Sequence, residues 1–213
     1  MSVKAVIFDL DGTITRPYFD FDAIREEMGL ARDAGPVLEL MQKMPRPERR
    51  RAEQILHHHE RLAVERSVLN TGARQTLETL RRAGIRIGVL TRNRRCNALA
   101  VARKHGLVFD VVVARDDGPV KPDAFGVLRI CQQFGVSARQ TLVVGDYLFD
   151  ILAARSAGAV AVLLLNDEKA AGFADQADFT IHRIDELLDI VASKNNPSTF
   201  SQSPGARDEI PRC

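Results

Sequence analysis

The chain has 213 residues, of which 45% are hydrophobic and 27% are charged, and it carries a formal net charge of +2 at pH 7. These proportions are typical of soluble globular proteins and exclude disorder of the whole chain. Because the net charge is close to zero, neither nucleic acid nor an anionic membrane is expected as a partner, and no apolar run approaches the roughly 18 residues of a membrane-spanning helix. The three cysteines are widely spaced and no secretory signal is recognisable, so a reduced, cytoplasmic setting is expected.

The first structural element is predicted at residues 3–15, which read VKAVIFDLDGTIT. The apolar residues up to Phe8 are rich in branched β-carbons, and a run of this length and composition predicts a buried strand. Because alternate side chains of an extended chain share a face, Asp9 and Asp11 are expected to point into one crevice while Leu10 points into the core. Gly12 then allows the chain to turn sharply. A strand that ends in two acids and a turn is the first candidate site.

Residues 16–70 have a different character, rich in Arg, Glu, Leu, Met and His, and are predicted to be helical throughout. Helix starts are expected near Asp20, Asp33 and Pro47. In the long segment 47–68, which contains no glycine or proline after its start, one packing face is expected at heptad spacing. The residues predicted to form that face are Ile55, Leu62 and Leu69. The whole segment is interpreted as an inserted helical cap.

From residue 71 onward, predicted helices and strands alternate, and glycines end several of the helices. The strands are predicted at residues 85–90, 110–114, 141–144, 159–165 and 179–181, and the helices at 71–83, 94–105, 122–134, 149–157, near 168 and at 184–192. Strands that are each followed by a helix imply a parallel, doubly wound, Rossmann-like α/β sheet. The predicted organisation is an α/β core of residues 1–15 and 71–192, a small helical cap of residues 16–70, and a disordered tail of residues 193–213.

Ligands of doubly wound sheets bind at the carboxyl ends of the strands, and the polar residues predicted at those ends form a coherent set. It comprises two acids after the first strand, a hydroxyl with polar neighbours after the second, a lysine after the third and two acids after the fourth. In chain order these residues are Asp9, Asp11, Thr91, Arg92, Asn93, Lys121, Asp146 and Asp150. Mg²⁺ prefers oxygen ligands such as carboxylates, and hydroxyl and ammonium groups suit phosphate oxygens. The set therefore predicts a site for a hard metal ion and a phosphoryl group.

These residues fall into four motifs, and through them the chain resembles the haloacid dehalogenase superfamily, specifically its phosphatase branch. The first motif, DxDGT after a hydrophobic strand, stands at residues 9–13, and the second, a Thr or Ser at the end of the next sheet strand, is Thr91. The third, a lysine followed by Pro-Asp, begins at Lys121, and the fourth, GDxxxD, spans residues 145–150. The motifs occur in the expected order, and the resemblance extends to about residue 192.

The resemblance implies a role for each of these residues. Asp9 would attack the phosphorus of a phosphomonoester and form an aspartyl-phosphate, and Asp11 would donate a proton to the leaving oxygen and later take one from water. The implied ligands of the Mg²⁺ cofactor are Asp9, the backbone carbonyl of Asp11, Asp146 and Asp150. The implied phosphate-binding residues are Leu10, Thr91, Arg92, Asn93 and Lys121. Thr91 and Lys121 are also counted as catalytic, together with Asp9 and Asp11.

In this superfamily the inserted cap closes over the site and supplies residues that recognise the substrate. Asp9 and Thr91 are 82 positions apart, which is shorter than expected for the full cap of phosphoglycolate phosphatases. The cap is therefore expected to be reduced and the specificity broad, with a small phosphorylated metabolite such as phosphoglycolate or a sugar phosphate as substrate. The candidate cap contacts to the substrate are Arg16, Tyr18, Phe19 and Arg25.

The motifs leave other functions open beside a Mg²⁺-dependent phosphatase. A sugar phosphomutase would form the same aspartyl-phosphate but return the phosphoryl group to the sugar, and the motifs do not separate the two. Dehalogenation of a 2-haloacid is disfavoured because such relatives lack the acid at the position of Asp11. A non-catalytic binding module is disfavoured because all four motifs are complete. A monomer is expected by default, with a homodimer as the alternative.

Overall fold

The computed structural model describes residues 2–196, and its core is a six-stranded sheet whose neighbouring strands are all parallel. The strands are Ala5–Phe8 (β1), Arg86–Leu90 (β2), Val111–Val113 (β3), Thr141–Gly145 (β4), Val160–Leu164 (β5) and Phe179–Ile181 (β6). Their order in the sheet is β3-β2-β1-β4-β5-β6. This order, with the chain moving outward in both directions from β1, confirms the predicted doubly wound α/β fold.

Nine α-helices are present in the described residues. They are Phe21–Glu27 (α1), Val37–Lys43 (α2), Arg46–Arg66 (α3), Ala73–Arg82 (α4), Arg95–Lys104 (α5), Phe125–Phe134 (α6), Leu148–Ala157 (α7), Glu168–Ala171 (α8) and Leu187–Asn195 (α9). Helices α4, α5 and α9 bury apolar side chains against one face of the sheet, and α6 and α7 cover the other face. Within residues 2–196, no helix combines the length and the apolar character that crossing a membrane requires.

Strand β1 lies near the middle of the sheet, and all of its side chains are buried. It pairs with β2 on one side and with β4 on the other, so that Phe8 is level with both Val89 and Val144. In this register the three strands end at one edge of the sheet. The polar residues that follow these strand ends include Asp9, Thr91 and Asp146. Backbone pairing therefore positions the predicted site before any side-chain contact is made.

The insert (residues 16–70), which contains α1, α2 and α3, is less helical than predicted. Helix α1 begins where expected, because the Asp20 side chain caps it. Helix α2 begins at Val37 and not near Asp33, so that prediction is wrong. The segment before α2 is held in a turn by the Arg25 guanidinium, which donates a hydrogen bond to the backbone carbonyl of Gly35 at 3.1 Å. A tertiary contact of this kind has no local sequence signal.

The predicted packing face of the long insert helix is also wrong. Ile55 and Leu62 are only half-buried, and Leu69 lies beyond the end of α3. The buried residues of α3 are Ala52, Leu56, Glu60 and Ala63. Their spacing of four and three is that of an ordinary packed helix. Counting apolar residues missed this face because it includes a charged residue, Glu60, whose partner comes from the core.

Two helix boundaries in the core, the start of α6 and the end of α9, differ from the prediction. Helix α6 begins at Phe125, a few residues later than predicted, because the Asp123 carboxylate accepts a hydrogen bond from the Phe125 amide at 2.7 Å and forms a turn before the helix. Helix α9 continues to Asn195, whose side-chain oxygen accepts a hydrogen bond from the Val3 amide at 2.6 Å. Residues 193–195 therefore belong to α9 and not to the predicted tail, and residues 197–213, on which the rest of that prediction falls, lie outside the described part of the chain.

Candidate active site

A buried lysine joins two acids from different strand ends at the centre of the site. The Lys121 ammonium donates hydrogen bonds to Asp9 Oδ1 at 2.5 Å and to Asp150 Oδ1 at 2.6 Å, and all three side chains are at least nine-tenths buried. Burial alone would lower the pKa of Lys121, but the adjacent carboxylates of Asp150 and Asp9 raise it above its ordinary value. The lysine is therefore cationic and fixes the carboxylate of Asp9 in one orientation.

Two glycines, one in the loop after β1 and one at the end of β4, allow the carboxyl groups of Asp146 and Asp150 to approach the backbone closely. Gly12 has a φ of +95°, and a Cβ atom at this position would lie 2.0 Å from Asp146 Oδ2. A Cβ atom on Gly145 would lie 2.0 Å from the carboxyl carbon of Asp150. No real side chain tolerates such distances, so the glycines of the DGT and GD motifs are required by the packing of the acids.

Asp11 stands beside this group and is held by a different partner. Its Oδ2 atom accepts a hydrogen bond from Asn93 Nδ2 at 3.1 Å. Burial, together with the nearby carboxylate of Asp9, raises the pKa of Asp11 to about 7. A carboxyl group with a pKa near neutrality can both donate and accept a proton at physiological pH.

The carboxylates of Asp9, Asp146 and Asp150 form a cluster in which one oxygen of each lies within 4.8 Å of the others. Asp146 is oriented by Thr13 Oγ1, which donates to Oδ1 at 3.3 Å, and by Asn166 Nδ2, which donates to Oδ2 at 3.2 Å. The same Asn166 amide nitrogen donates to the backbone carbonyl of Gly12. Its Oδ1 atom is buried with no hydrogen-bond partner among the described residues.

The donor set of this cluster fits a divalent cation that prefers oxygen. Burial first, and then the charge of Asp9, raise the pKa of both Asp146 and Asp150. Four carboxyl groups thus share a small volume with a single ammonium, and a divalent cation would supply the matching charge. Both oxygens of Asp150 accept hydrogen bonds, from Lys121 and from the Tyr147 amide, and both oxygens of Asp146 do so from Thr13 and Asn166. Asp9 accepts from Lys121 through Oδ1, and its other oxygen faces the cluster as the freer ligand.

The loop after β2 offers polar groups to the same crevice. Thr91 is buried, and its hydroxyl oxygen accepts a hydrogen bond from the Asn93 amide at 3.0 Å. Asn93 is held by Asn97 Nδ2, which donates to its Oδ1 at 2.8 Å. Leu10, in contrast, has its side chain fully buried in the core. Only the main chain of Leu10 can face a phosphate group.

Arg92 has partners other than the one expected. Its Nη2 atom lies 2.9 and 2.7 Å from the two oxygens of Glu39 on α2, and its Nη1 atom donates to the backbone carbonyl of Lys121. The guanidinium also lies 4.6 Å above the ring of Phe149. In this arrangement Arg92 links the insert to the core, and the predicted phosphate contact of its side chain remains a hypothesis.

Three site features escaped the sequence reasoning. Asn70 Nδ2 donates to the backbone carbonyls of Gly12 and Thr13, at 3.0 and 2.7 Å, and so fixes the loop after β1. Glu60 of α3 is buried and pairs with Arg115 in the core. Asn166 lies shortly after the end of β5, as Asp9 lies directly after β1. The strand-end argument, applied to the fifth strand, would therefore have identified Asn166. Asn70 and Glu60 carry no comparable local signal.

These groups surround a cavity of about 430 Å³ between the insert and the strand ends. Its walls include Asp9, Asp11, Thr91, Lys121 and Asp146, so the fold brings residues of all four motifs to one cavity. Of the candidate cap contacts, Tyr18, Phe19 and Arg25 line the cavity, whereas Arg16 is exposed outside its lining. The cavity has a charged floor at the strand ends, and the insert contributes to its walls.

Comparison with known proteins agrees with this geometry. A sequence profile of haloacid dehalogenase-like hydrolases matches residues 3–158. A phosphoglycolate phosphatase of Chromobacterium violaceum is 29% identical over 220 residues, with 89% of this chain and 96% of that protein covered. An uncharacterized hydrolase of Saccharomyces cerevisiae is 26% identical over 210 residues, with 92% and 94% covered. A solved hydrolase from Pseudomonas syringae shares the fold with a TM-score of 0.75 at 24% identity, covering 89% of this chain and 98% of that one.

The sheet order and the four strand-end motifs define a hydrolase of the haloacid dehalogenase type built on a doubly wound sheet, and the matched profile spans all four motifs. The chain belongs to the haloacid dehalogenase-like hydrolase family. The resemblance derived from the motifs is thereby confirmed.

Proposed function

We propose that the chain is a Mg²⁺-dependent phosphatase that hydrolyses a small organic phosphomonoester through an aspartyl-phosphate on Asp9. One observation carries the proposal. A carboxylate held by a buried ammonium at 2.5 Å shares a crevice with a second carboxyl group, Asp11, which Asn93 holds at 3.1 Å. The first is a fixed nucleophile and the second a proton carrier. The phosphatase named among the relatives supports the same reaction class.

In the first step a carboxylate oxygen of Asp9 attacks the phosphorus, and the bond between phosphorus and the leaving oxygen breaks. Asp11, in its protonated form, gives its proton to that oxygen, so the product leaves as a neutral alcohol. Lys121 keeps the attacking carboxylate oriented and compensates charge on the transferred phosphoryl group. Thr91 and the backbone amide nitrogens of the β2 loop would bind the remaining phosphoryl oxygens.

In the second step the ionised Asp11 takes a proton from a water molecule as the water oxygen attacks the phosphorus. The bond between phosphorus and Asp9 breaks, phosphate is formed, and Asp9 returns as a carboxylate. Asp11 is again protonated and ready for the next cycle. Asn93 holds Asp11 at 3.1 Å, so the same carboxyl group can serve both steps from one position.

Mg²⁺ would be held by the carboxylates of Asp9 and Asp146 and by the backbone carbonyl of Asp11, with Asp150 behind them. When bound, it supplies positive charge that offsets the repulsion between a carboxylate nucleophile and a phosphate dianion. Lys121 and Asn166 then act on the ligands, since they orient Asp9 and Asp146 respectively.

The test is turnover of p-nitrophenyl phosphate with and without Mg²⁺. We expect chelation to stop turnover, and Asp9→Asn to lower kcat by at least about a thousandfold while Asp189→Asn, an exposed acid on α9, leaves it unchanged. Turnover that survives Asp9→Asn or is indifferent to chelators would exclude this mechanism. Trapping of ³²P on the wild-type chain, but not on the Asp9 variant, checks the intermediate.

The phosphomutase alternative is separated by the products. Incubation with a hexose 1-phosphate should release inorganic phosphate in proportion to the substrate consumed. Formation of the hexose 6-phosphate without phosphate release would assign the mutase reaction instead.

A further inference from the structure

The cavity is larger than its phosphate end requires. Its volume of about 430 Å³ falls in the range of about 300–1,000 Å³ of pockets that hold drug-sized ligands. The phosphoryl group would occupy only the floor between Asp9, Lys121 and the β2 loop. Asp11, which protonates the leaving oxygen in the proposed reaction, lines the same cavity within electrostatic range of Glu60 on the insert. The space beyond Asp11 is therefore the place of the leaving group.

Aromatic rings form much of the wall around this space. Phe19 and Phe21 stack on each other with ring centres 5.4 Å apart at the entry to the insert, and both line the cavity. Tyr147, in the loop after β4, and Phe149, in the first turn of α7, also line it, with ring centres 5.0 Å apart. Phe21 and Tyr147 keep 47% and 43% of their surface exposed, so neither ring is fully covered by its neighbours. Exposed rings in a concave site favour stacking with a ring of the ligand.

The arginine charges on the same walls are already compensated. Four arginines line the cavity, and each is paired with a carboxylate. The pairs are Arg25 with Asp22, Arg32 with Glu26, Arg92 with Glu39 and Arg115 with Glu60. The other ionisable groups on these walls are Lys169, which is exposed, and the acids Asp33 and Asp167. A carboxylate on the leaving group would meet paired arginines and further acids, and the remaining cation of the lining, Lys169, is exposed, so that an ion pair with it would return little of the lost hydration.

We propose that the leaving-group pocket selects an uncharged alcohol that carries a ring, so that the preferred substrate is a phosphomonoester whose only charge is the phosphate. This inference rests on the proposed phosphatase activity and narrows it. The leaving group of phosphoglycolate is a two-carbon carboxylate, which has no ring and is not neutral. Phosphoglycolate is therefore a poor substrate of this chain.

The test compares substrates that differ in one property at a time, using the full chain with Mg²⁺. Benzyl phosphate against ethyl phosphate isolates the ring. Phosphoglycolate against 2-hydroxyethyl phosphate isolates the carboxylate at nearly constant size. We expect kcat/KM for benzyl phosphate to exceed that for ethyl phosphate by at least about tenfold, as burial of the additional carbons would give. We also expect 2-hydroxyethyl phosphate to be the better substrate of the second pair.

Variants assign the preference to the aromatic wall. Tyr147→Ala and Phe21→Ala should each lower the ratio of kcat/KM for benzyl over ethyl phosphate by about three- to tenfold, the value of one aromatic contact. Phe179→Ala is the matched control, because Phe179 is also an exposed ring but lies on β6, outside the cavity lining. It should leave the ratio unchanged.

The outcomes separate this inference from the function on which it rests. If no phosphomonoester is hydrolysed, the proposed phosphatase function itself fails. If p-nitrophenyl phosphate is hydrolysed with dependence on Asp9, but phosphoglycolate is preferred or the ring has no effect, the phosphatase function stands and the proposed pocket specificity is overturned. A ratio that changes equally in the Phe179 control would also overturn the assignment to the cavity wall.

Discussion

The strand-end cluster and the insert hold their parts of the site by different means. In the strand-end cluster, paired strands set the position of each acid, and the contacts are short hydrogen bonds between buried groups, such as Lys121 to Asp9 at 2.5 Å. The insert is joined to the core by ion pairs between long side chains at the cavity: Glu39 of the insert pairs with Arg92 of the core, and Glu60 of the insert pairs with Arg115 of the core. Backbone pairing fixes geometry to a fraction of an ångström, whereas paired long side chains permit adjustment.

The insert also has an apolar cluster of its own, separate from those on the two faces of the sheet. Its buried members are Ile24, Val37, Met41, Ala52 and Leu56. Because this cluster is small, interactions with the core contribute a large share of what holds the insert in place. The two regions are held by different contacts, so substitutions in the insert should leave the geometry of the strand-end cluster largely intact.

The largest effect is expected from Gly12→Ala in the strand-end cluster. The new Cβ would lie 2.0 Å from Asp146 Oδ2 at a φ of +95°, so the acid must move out of the cluster. We expect kcat to fall by at least about a hundredfold, since misplacement of a catalytic group by 1 Å can cost that much. Gly29→Ala in the insert is the matched control, because its φ is +77° with no atom near the added Cβ. Equal losses in both variants would show that backbone strain, and not the clash, is responsible.

The next effect concerns the two ion pairs between insert and core. Glu60 is almost fully buried, so Arg115→Met should leave a buried charge and lower the free energy of unfolding by about 3–5 kcal/mol. The Arg92 and Glu39 side chains are 20% and 37% exposed, and Arg92→Met should cost less than about 1 kcal/mol. Urea unfolding measures both. Adding Glu60→Gln to Arg115→Met should recover part of the loss, and no recovery would mean that Arg115 acts through some other contact.

A smaller effect, on metal affinity, is expected from Asn166→Ala. The variant loses the hydrogen bonds to Asp146 Oδ2 and to the Gly12 carbonyl, which orient a ligand of the proposed cation. Loss of such a supporting contact typically weakens metal binding by about 10–100-fold. Calorimetric titration with Mg²⁺ measures this directly. Asn195→Ala removes a comparable hydrogen bond at the opposite end of β1 and should leave the affinity unchanged. An unchanged affinity in the Asn166 variant would remove that residue from the metal site.

The sequence predicted the strand-end cluster well because its signals are local. Asp9 and Asp146 each follow an apolar run directly, and the parallel register then brings them together whatever lies between. The insert was predicted less well because its structure depends on contacts distant in sequence. The pairing of Glu60 with Arg115 joins positions 55 residues apart, and it places a charged residue on the buried face of α3. Arg92 was assigned to phosphate from its position in the motif, but Glu39 on α2 binds its side chain.

The smallest expected effect lies where the insert rejoins the core, at His105. Burial, followed by the charges of Lys104 and Arg74, lowers the pKa of His105 below its ordinary value of 6.5, and its Nε2 atom lies 2.8 Å from the Ser67 hydroxyl at the end of α3. The folded state favours the neutral imidazole, so His105 stabilises the fold fully at pH values above its pKa in the unfolded chain. This stabilisation is lost as the pH falls through that pKa and then through the lower pKa of the folded chain. Between pH 7.5 and 5, the wild-type chain should therefore lose more free energy of unfolding than His105→Gln. The same substitution at the exposed His182 controls for the loss of an imidazole elsewhere. Identical pH dependence in wild type and His105→Gln would show that this junction does not sense protonation, and that the insert is anchored independently of His105.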